Sequence, residues 1–337
     1  MCQFYFAIGN SNDVKHALNT DTIHFYLQSI IRISHGSYYE AQQTIRSITN
    51  RYIHAKNYNA AIELLYQSSM ILMEFKRYDE ASDLFLYMLE VFEKDTKPVT
   101  DFKNQDLVKI IDFLNVLPND DPNLSNLSKE VSRFTQKKTE NEVGFTNLNL
   151  VLAKKLYYSE SAELVANSEH FLFLSGNNNT ESLDLLVDLI YQSYVKSPVE
   201  SLGTLAARIV LPYLILSNVK FANMGLVKLI AKVKNSDRAY SLNFKHVDDH
   251  LSILDEDDDS SKLVNFLTLL ISIVERASPE NATNFRVLVN RYRPQLSSEE
   301  PLLQKVNIIG QLYFKVTVIA AQNNMLQQMM SGLLGGK

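Results

Sequence analysis

The side chains able to do chemistry are few and scattered. His246 and His250 stand four apart, a spacing that on a helix puts two imidazoles on one face, where they could hold zinc. The residues between them, Val247, Asp248 and Asp249, lack the glutamate of a zinc-protease box, and no third ligand is evident. Asp255, Asp257 and Asp259 fit the first three ligand positions of a calcium loop. Ser260 stands where that loop needs glycine and Phe266 where it needs glutamate, which rejects an EF-hand and leaves an acidic, solvated stretch. The terminal Gly335-Gly336-Lys337 is no phosphate loop, because Ser331 takes the place of the upstream glycine and no Ser or Thr follows. No serine sits in a Gly-x-Ser-x-Gly elbow. Cys2, the one cysteine, has no evident base beside it. Arg286, Arg291 and Arg293 with Tyr292 form a small basic patch, for which a solvated face or a protein contact fits better than nucleic acid.

The bulk numbers agree with that negative survey. A net charge of -5 gives no global field that would draw the chain to nucleic acid or to an anionic membrane. With 46% hydrophobic residues, 337 residues can bury a core as one elongated repeat domain or two compact ones. Only 10 glycines and 8 prolines argue against a turn-rich β protein. A single cysteine excludes an internal disulfide framework and a cysteine zinc cluster. The opening Met1 to Gly9 has no charged n-region, and the longest apolar run, Leu263 to Val274, is interrupted by Asn265, Thr268 and Ser272. That run is shorter than the roughly 20 residues a membrane span needs. A cytosolic setting is the expectation.

What the sequence does display is a repeat. Gly-Ser-Tyr-Tyr-Glu-Ala, Lys-Asn-Tyr-Asn-Ala-Ala and Lys-Arg-Tyr-Asp-Glu-Ala place Ala41, Ala61 and Ala81 at one interval of 20, each behind an aromatic. Each phrase opens an apolar stretch of helical period, so helices of equal length must lie side by side with a small residue at the point of close approach. The expected helices cover 22–34, 38–54, 58–75 and 78–92. They continue with one through Leu107 to Leu117, then 124–138, 145–156, 159–173, 180–195, 201–216, 222–234, 262–276, 281–291 and 299–316. Gly36 ends the first, and Asn123 or Ser125 could cap the helix after Pro122. Weak alternation at Ser241–Lys245 and Leu251–Leu254 supports one small β-hairpin in the C-terminal half. The fold class is therefore all-α, a TPR-like α-solenoid of stacked helical hairpins. Its expected parts are an unstructured leader (1–20), an N-terminal half (22–150), a C-terminal half (151–320) and an amphipathic tail (321–337). In that tail Met325, Leu326, Met329, Met330, Leu333 and Leu334 share one face, which either packs on the chain's own last helix or docks on a partner.

Several phrases carry a resemblance. They are Gly36 to Tyr52, Ala61 to Leu65, Ser82 to Val91, Ala162-Glu163, Glu169 to Phe173, Arg208 to Ala222, Asn265 to Ile271 and the closing Met329 to Gly336. In this order they resemble the Golgi-to-ER traffic protein four family of the guided-entry-of-tail-anchored-proteins (GET) pathway, the fungal counterpart of a subunit of the transmembrane-domain recognition complex. The resemblance spans about 22–337 and leaves the first 20 residues unmatched.

The resemblance implies a non-enzymatic adaptor without a cofactor, working in ER targeting. Its N-terminal helices would dock on the pathway's targeting ATPase, and its C-terminal half on a ubiquitin-like-domain partner. That partner recruits the co-chaperone carrying tail-anchored clients. By the same resemblance Tyr38, Tyr39, Arg46 and Arg51 would anchor the ATPase, Lys56 would add charge, and Asp83 would make a regulatory contact. Phe266, Leu269, Leu270, Tyr313 and Phe314 would hold the ubiquitin-like partner, with 237–261 as a clasp. Two readings stand beside it: a TPR-like scaffold subunit of a proteasome-lid or coat type assembly, and a metal-dependent hydrolase using His246 and His250.

Overall fold

The structure, a computed structural model, describes residues 31–33, 35–95, 104–175, 179–197, 201–236, 244–248, 251–255, 258–276, 278, 281–298 and 300–319. The leader, the amphipathic tail and His250 lie outside these residues. The chain divides into two compact units, Met1–Ser168 and Glu169–Lys337, a division that falls between 168 and 169 rather than between 150 and 151.

In the first unit the 20-residue repeat becomes three helices of equal length, α1 (Tyr38–His54), α2 (Tyr58–Glu74) and α3 (Tyr78–Lys94). The connecting triplets are built alike. Gly36, Lys56 and Lys76 adopt left-handed φ values of 84°, 57° and 57°. In each turn the next residue's N–H reaches five residues back: Ser37 to Arg32, Asn57 to Tyr52 and Arg77 to Leu72, all at 2.9 Å. These are Schellman closures, which satisfy the helix's last carbonyls and reverse the chain. One closure uses glycine and two use lysine, which carries a Cβ into a conformation that suits glycine better. Lys56→Gly and Lys76→Gly are each expected to raise stability by about 0.5–1 kcal/mol, read as a higher midpoint in urea with unchanged slope. A lowered midpoint would show that these lysine side chains hold something the turn geometry does not require.

Ala41, Ala61 and Ala81 are each 0% exposed, as the close-approach argument requires. The unit continues through α4 (Asn104–Val116), α5 (Leu124–Thr139) and α6 (Thr146–Tyr157) into α7 (Ala162–Leu174), within which the division falls. Here α1 packs on α2 and α2 on α3. Contacts that skip one helix, α1 with α3, α2 with α4, α3 with α5 and α4 with α6, make the stack a solenoid. Its core includes Phe85 stacked on Phe113 at 4.0 Å, and Phe92 beside Phe134 at 5.9 Å. Asn123 flanks α5 without capping it; instead Asp121 Oδ1 accepts the Asn123 N–H at 2.8 Å. Buried Lys155 donates to the Leu117 carbonyl at 2.6 Å and to Asn119 Oδ1 at 2.9 Å, tying this loop to α6, and burial lowers its pKa.

The second unit holds α8 (Thr180–Lys196), α9 (Leu202–Ile215), α10 (Val219–Lys234), the strands β1 (Phe244–Asp248) and β2 (Leu251–Leu254), α11 (Asp259–Glu275), α12 (Ala282–Arg291), α13 (Arg293–Ser297) and α14 (Glu300–Phe314). The most buried element is α9, whose Leu205, Ile209, Val210 and Leu214 are 0% exposed. It packs on α8, α10, α11 and α14. Tyr213 stands on Phe173 at 5.0 Å and on Phe221 at 5.7 Å, and burial drives its phenol well above the ordinary pKa. The hairpin is antiparallel, with Lys245 opposite Ile253 and Phe244 opposite Leu254. The short helix α13 was not expected; Pro294 near its start suits a helix N-terminus.

Candidate functional site

The first unit brings several predicted residues together. Because α1 and α3 lie two apart in the stack, they run in the same direction, and side chains spaced by four form rungs across them. Asp83 Oδ2 accepts from Arg46 Nη1 at 2.7 Å and from Gln42 Nε2 at 2.6 Å. The Arg46 guanidinium also lies 4.7 Å from the Tyr87 ring, and Tyr87 donates its hydroxyl to Asn50 Oδ1 at 2.6 Å. Burial pushes the Tyr87 phenol up while the Arg46 charge pulls it down. The result is a ladder of Gln42, Arg46 and Asn50 on α1 against Asp83 and Tyr87 on α3. Its charged pair is only part-buried, with side-chain exposures of 36% and 46%, so both charges remain readable from solvent.

Around the ladder the other predicted residues divide. Tyr39 is 69% exposed and offers a free aromatic face. Tyr38 is engaged within the fold, with the Phe75 ring at 6.3 Å and the Arg77 guanidinium 4.7 Å from its own ring. Arg51 and Lys56 are exposed at the far end of α1 and in the turn behind it. Gln42, Asn50 and Tyr87 were missed in the sequence. Their signal was spacing alone: 42, 46 and 50 fall on one stripe of α1, and 83 and 87 on one stripe of α3.

The second unit treats its predicted residues differently. Phe266 and Leu270 are 0% exposed and Phe314 is 3% exposed, so all three are core. Phe266 packs beside Tyr292 at 5.8 Å, and Phe314 stacks on Phe285 at 5.0 Å. A partner cannot reach these side chains, and core packing accounts for them. Leu269 is half-buried. Tyr313 is half-buried and donates its hydroxyl to the Leu214 carbonyl at 2.8 Å, which closes the end of α9; burial raises its pKa. Of the clasp segment, residues 244–248, 251–255 and 258–261 are described. Lys245 pairs with Asp255 across the hairpin's open end.

Of the groups surveyed for catalysis, His246 lies on β1 rather than on a helix. Among the described residues, no group of three or more His, Cys, Asp and Glu side chains comes together as a metal site. Asp258 is the N-cap of α11, its Oδ1 accepting the Ser261 N–H at 2.6 Å, so the last part of the acidic run serves as a helix cap. Arg291 lies 5.4 Å from the Tyr292 ring, and Arg293 donates to the Val318 carbonyl at 3.0 Å. No described helix is long and apolar enough to cross a membrane.

Comparison with known proteins gives one consistent answer. A family model described as Golgi to ER traffic protein 4 matches residues 55–334. Golgi to ER traffic protein 4 of Aspergillus fumigatus is 27% identical over 316 residues, covering 91% of this chain and 88% of that protein. The homologue of that name in Homo sapiens is 25% identical over 311 residues, covering 90% and 84%. The crystal structure of C. therm. Get4 superposes with a TM-score of 0.72 at 24% identity, covering 94% of this chain and 97% of that one, a likeness of fold. Since the matching model spans well over half of a chain with this helical stack, the chain belongs to the Golgi to ER traffic protein 4 family.

Proposed function

We propose that this chain is a cytosolic, non-enzymatic adaptor that delivers tail-anchored proteins toward the ER by holding two partners at once. The first unit would dock a targeting ATPase on the α1–α3 face, through Tyr39, Arg46, Arg51, Lys56 and Asp83. The second would hold a ubiquitin-like-domain protein on the side bearing the β1–β2 hairpin and the exposed part of Leu269. A co-chaperone with its client would arrive through that second partner. Two sites on one chain raise each partner's effective concentration for the other, so a hydrophobic segment can change hands without release into water.

The observation that carries the reading is the part-exposed Arg46–Asp83 pair flanked by exposed Tyr39 and Arg51. A patch showing both signs of charge beside an aromatic fixes a partner's orientation and speeds its encounter. Reconstituting the chain with a targeting ATPase and a ubiquitin-like-domain protein, followed by crosslinking, is the test. ATPase crosslinks are expected within 38–94 and ubiquitin-like crosslinks within the second unit. Crosslinks in the reverse arrangement, or recovery of neither partner, would overturn the assignment.

A further inference from the structure

One buried polar side chain in the second unit does something that neither its sequence context nor the proposed interface requires. Asn265 interrupts an apolar run in the middle of α11 and is 1% exposed. A buried amide without partners would be costly. Here it is paired twice, and both times with the same residue. Leu254 N–H donates to Asn265 Oδ1 at 2.7 Å, and Asn265 Nδ2 donates to the Leu254 carbonyl at 2.8 Å. A carboxamide matched in this way to one residue's N–H and C=O imitates a neighbouring β-strand. It occupies the outward-facing peptide groups of β2 at the point where Phe244 stands opposite Leu254 across the hairpin.

The surroundings make this contact an anchor. The Leu254 side chain is itself 2% exposed, so the end of β2 is held by packing and by the amide together. The base beneath it is firm. A Cβ on Gly203 would fall 2.7 Å from the Ser260 carbonyl oxygen, and the Gly203 N–H donates to Ser260 Oγ at 3.1 Å, so α9 lies close against the start of α11. Two strands alone are marginal in water and need something to fix their register and pose.

We infer that Asn265 is a positioning residue, a latch that seats β2 on α11 and so fixes the pose in which the β1–β2 hairpin meets its partner. The partner's identity rests on the ubiquitin-like-domain reading above; the latch does not. The test uses the full chain with Asn265→Ala and with Asn265→Leu, which restores the lost volume. Amide hydrogen exchange at Leu254 is read beside far-UV circular dichroism and binding of the full-length ubiquitin-like-domain protein. The expected result is exchange at Leu254 faster by at least about tenfold, helix content unchanged, and affinity for that protein reduced, mainly through faster dissociation. Unchanged exchange at Leu254 overturns the latch. Loss of helix content in both variants also overturns it, since Asn265 would then hold the whole unit. Faster exchange with unchanged affinity, where the unaltered chain binds, overturns the positioning role. An unaltered chain that does not bind the ubiquitin-like-domain protein counts against the proposed function instead, and exchange at Leu254 still decides the latch.

Discussion

Replacing Asp83 with lysine is expected to weaken docking of the targeting ATPase by at least about tenfold, about 1.4 kcal/mol, while helix content stays unchanged. The asymmetry follows from where the charge sits. Asp83 is on a part-exposed face of α3, so losing its 2.7 Å pair with Arg46 costs the fold little, on the order of 1 kcal/mol or less. A partner that reads the same patch meets a reversed charge next to Arg46. The control is a swap. Arg46→Asp added to Asp83→Lys restores an intramolecular pair with its polarity inverted. The swap should recover any lost stability yet leave docking impaired, because the pattern presented to solvent remains wrong. Calorimetric titration of the ATPase with each variant decides between them. A swap that restored docking would mean that the pair only shapes the α1–α3 face and that the contact lies elsewhere.

The largest effect on folding is expected at Gly203, on the innermost helix of the second unit. The position is tight on two sides: a Cβ would meet the Ser260 carbonyl oxygen at 2.7 Å and the Leu263 Cβ at 2.8 Å. The first of these is backbone and cannot rotate away. Alanine must therefore push α9 from α11 and stretch the Gly203 N–H contact to Ser260 Oγ, now 3.1 Å. The expected cost is about 1–3 kcal/mol, and more for valine, seen as a lower urea midpoint. An alanine variant as stable as the parent would show that α9 and α11 can separate freely, which would also undercut the firm base assigned to the Asn265 latch.

Much of this fold was legible because it rests on local rules. The interval of 20 between Ala41, Ala61 and Ala81 is a 17-residue helix plus a three-residue turn, repeated, and each alanine is buried where the repeat said it must be. The hairpin followed from weak alternation at 251–254, and β2 spans those residues. The short α13 lies between the two expected helices 281–291 and 299–316, and its Pro294 is compatible with a helix's first turn. The proposed docking face was half legible. The resemblance picked out Arg46 and Asp83, but Gln42, Asn50 and Tyr87 join them through contacts spanning 37 to 41 residues, which no local pattern encodes. In the second unit residue type misled. Phe266, Leu270 and Phe314 suit a core and a protein interface equally well, and only burial separates the two uses. Asn265 was visible as a break in an apolar run; its purpose depends on a strand 11 residues earlier turning back to meet it.

The claim beneath all of this is that one chain carries two separate docking surfaces. Light scattering on a size-exclusion column, with the chain mixed with a nucleotide-bound targeting ATPase and a ubiquitin-like-domain protein, tests it most directly. A single peak whose mass requires all three components is the predicted result. Peaks holding the chain with one partner or the other, but never both, would contradict it.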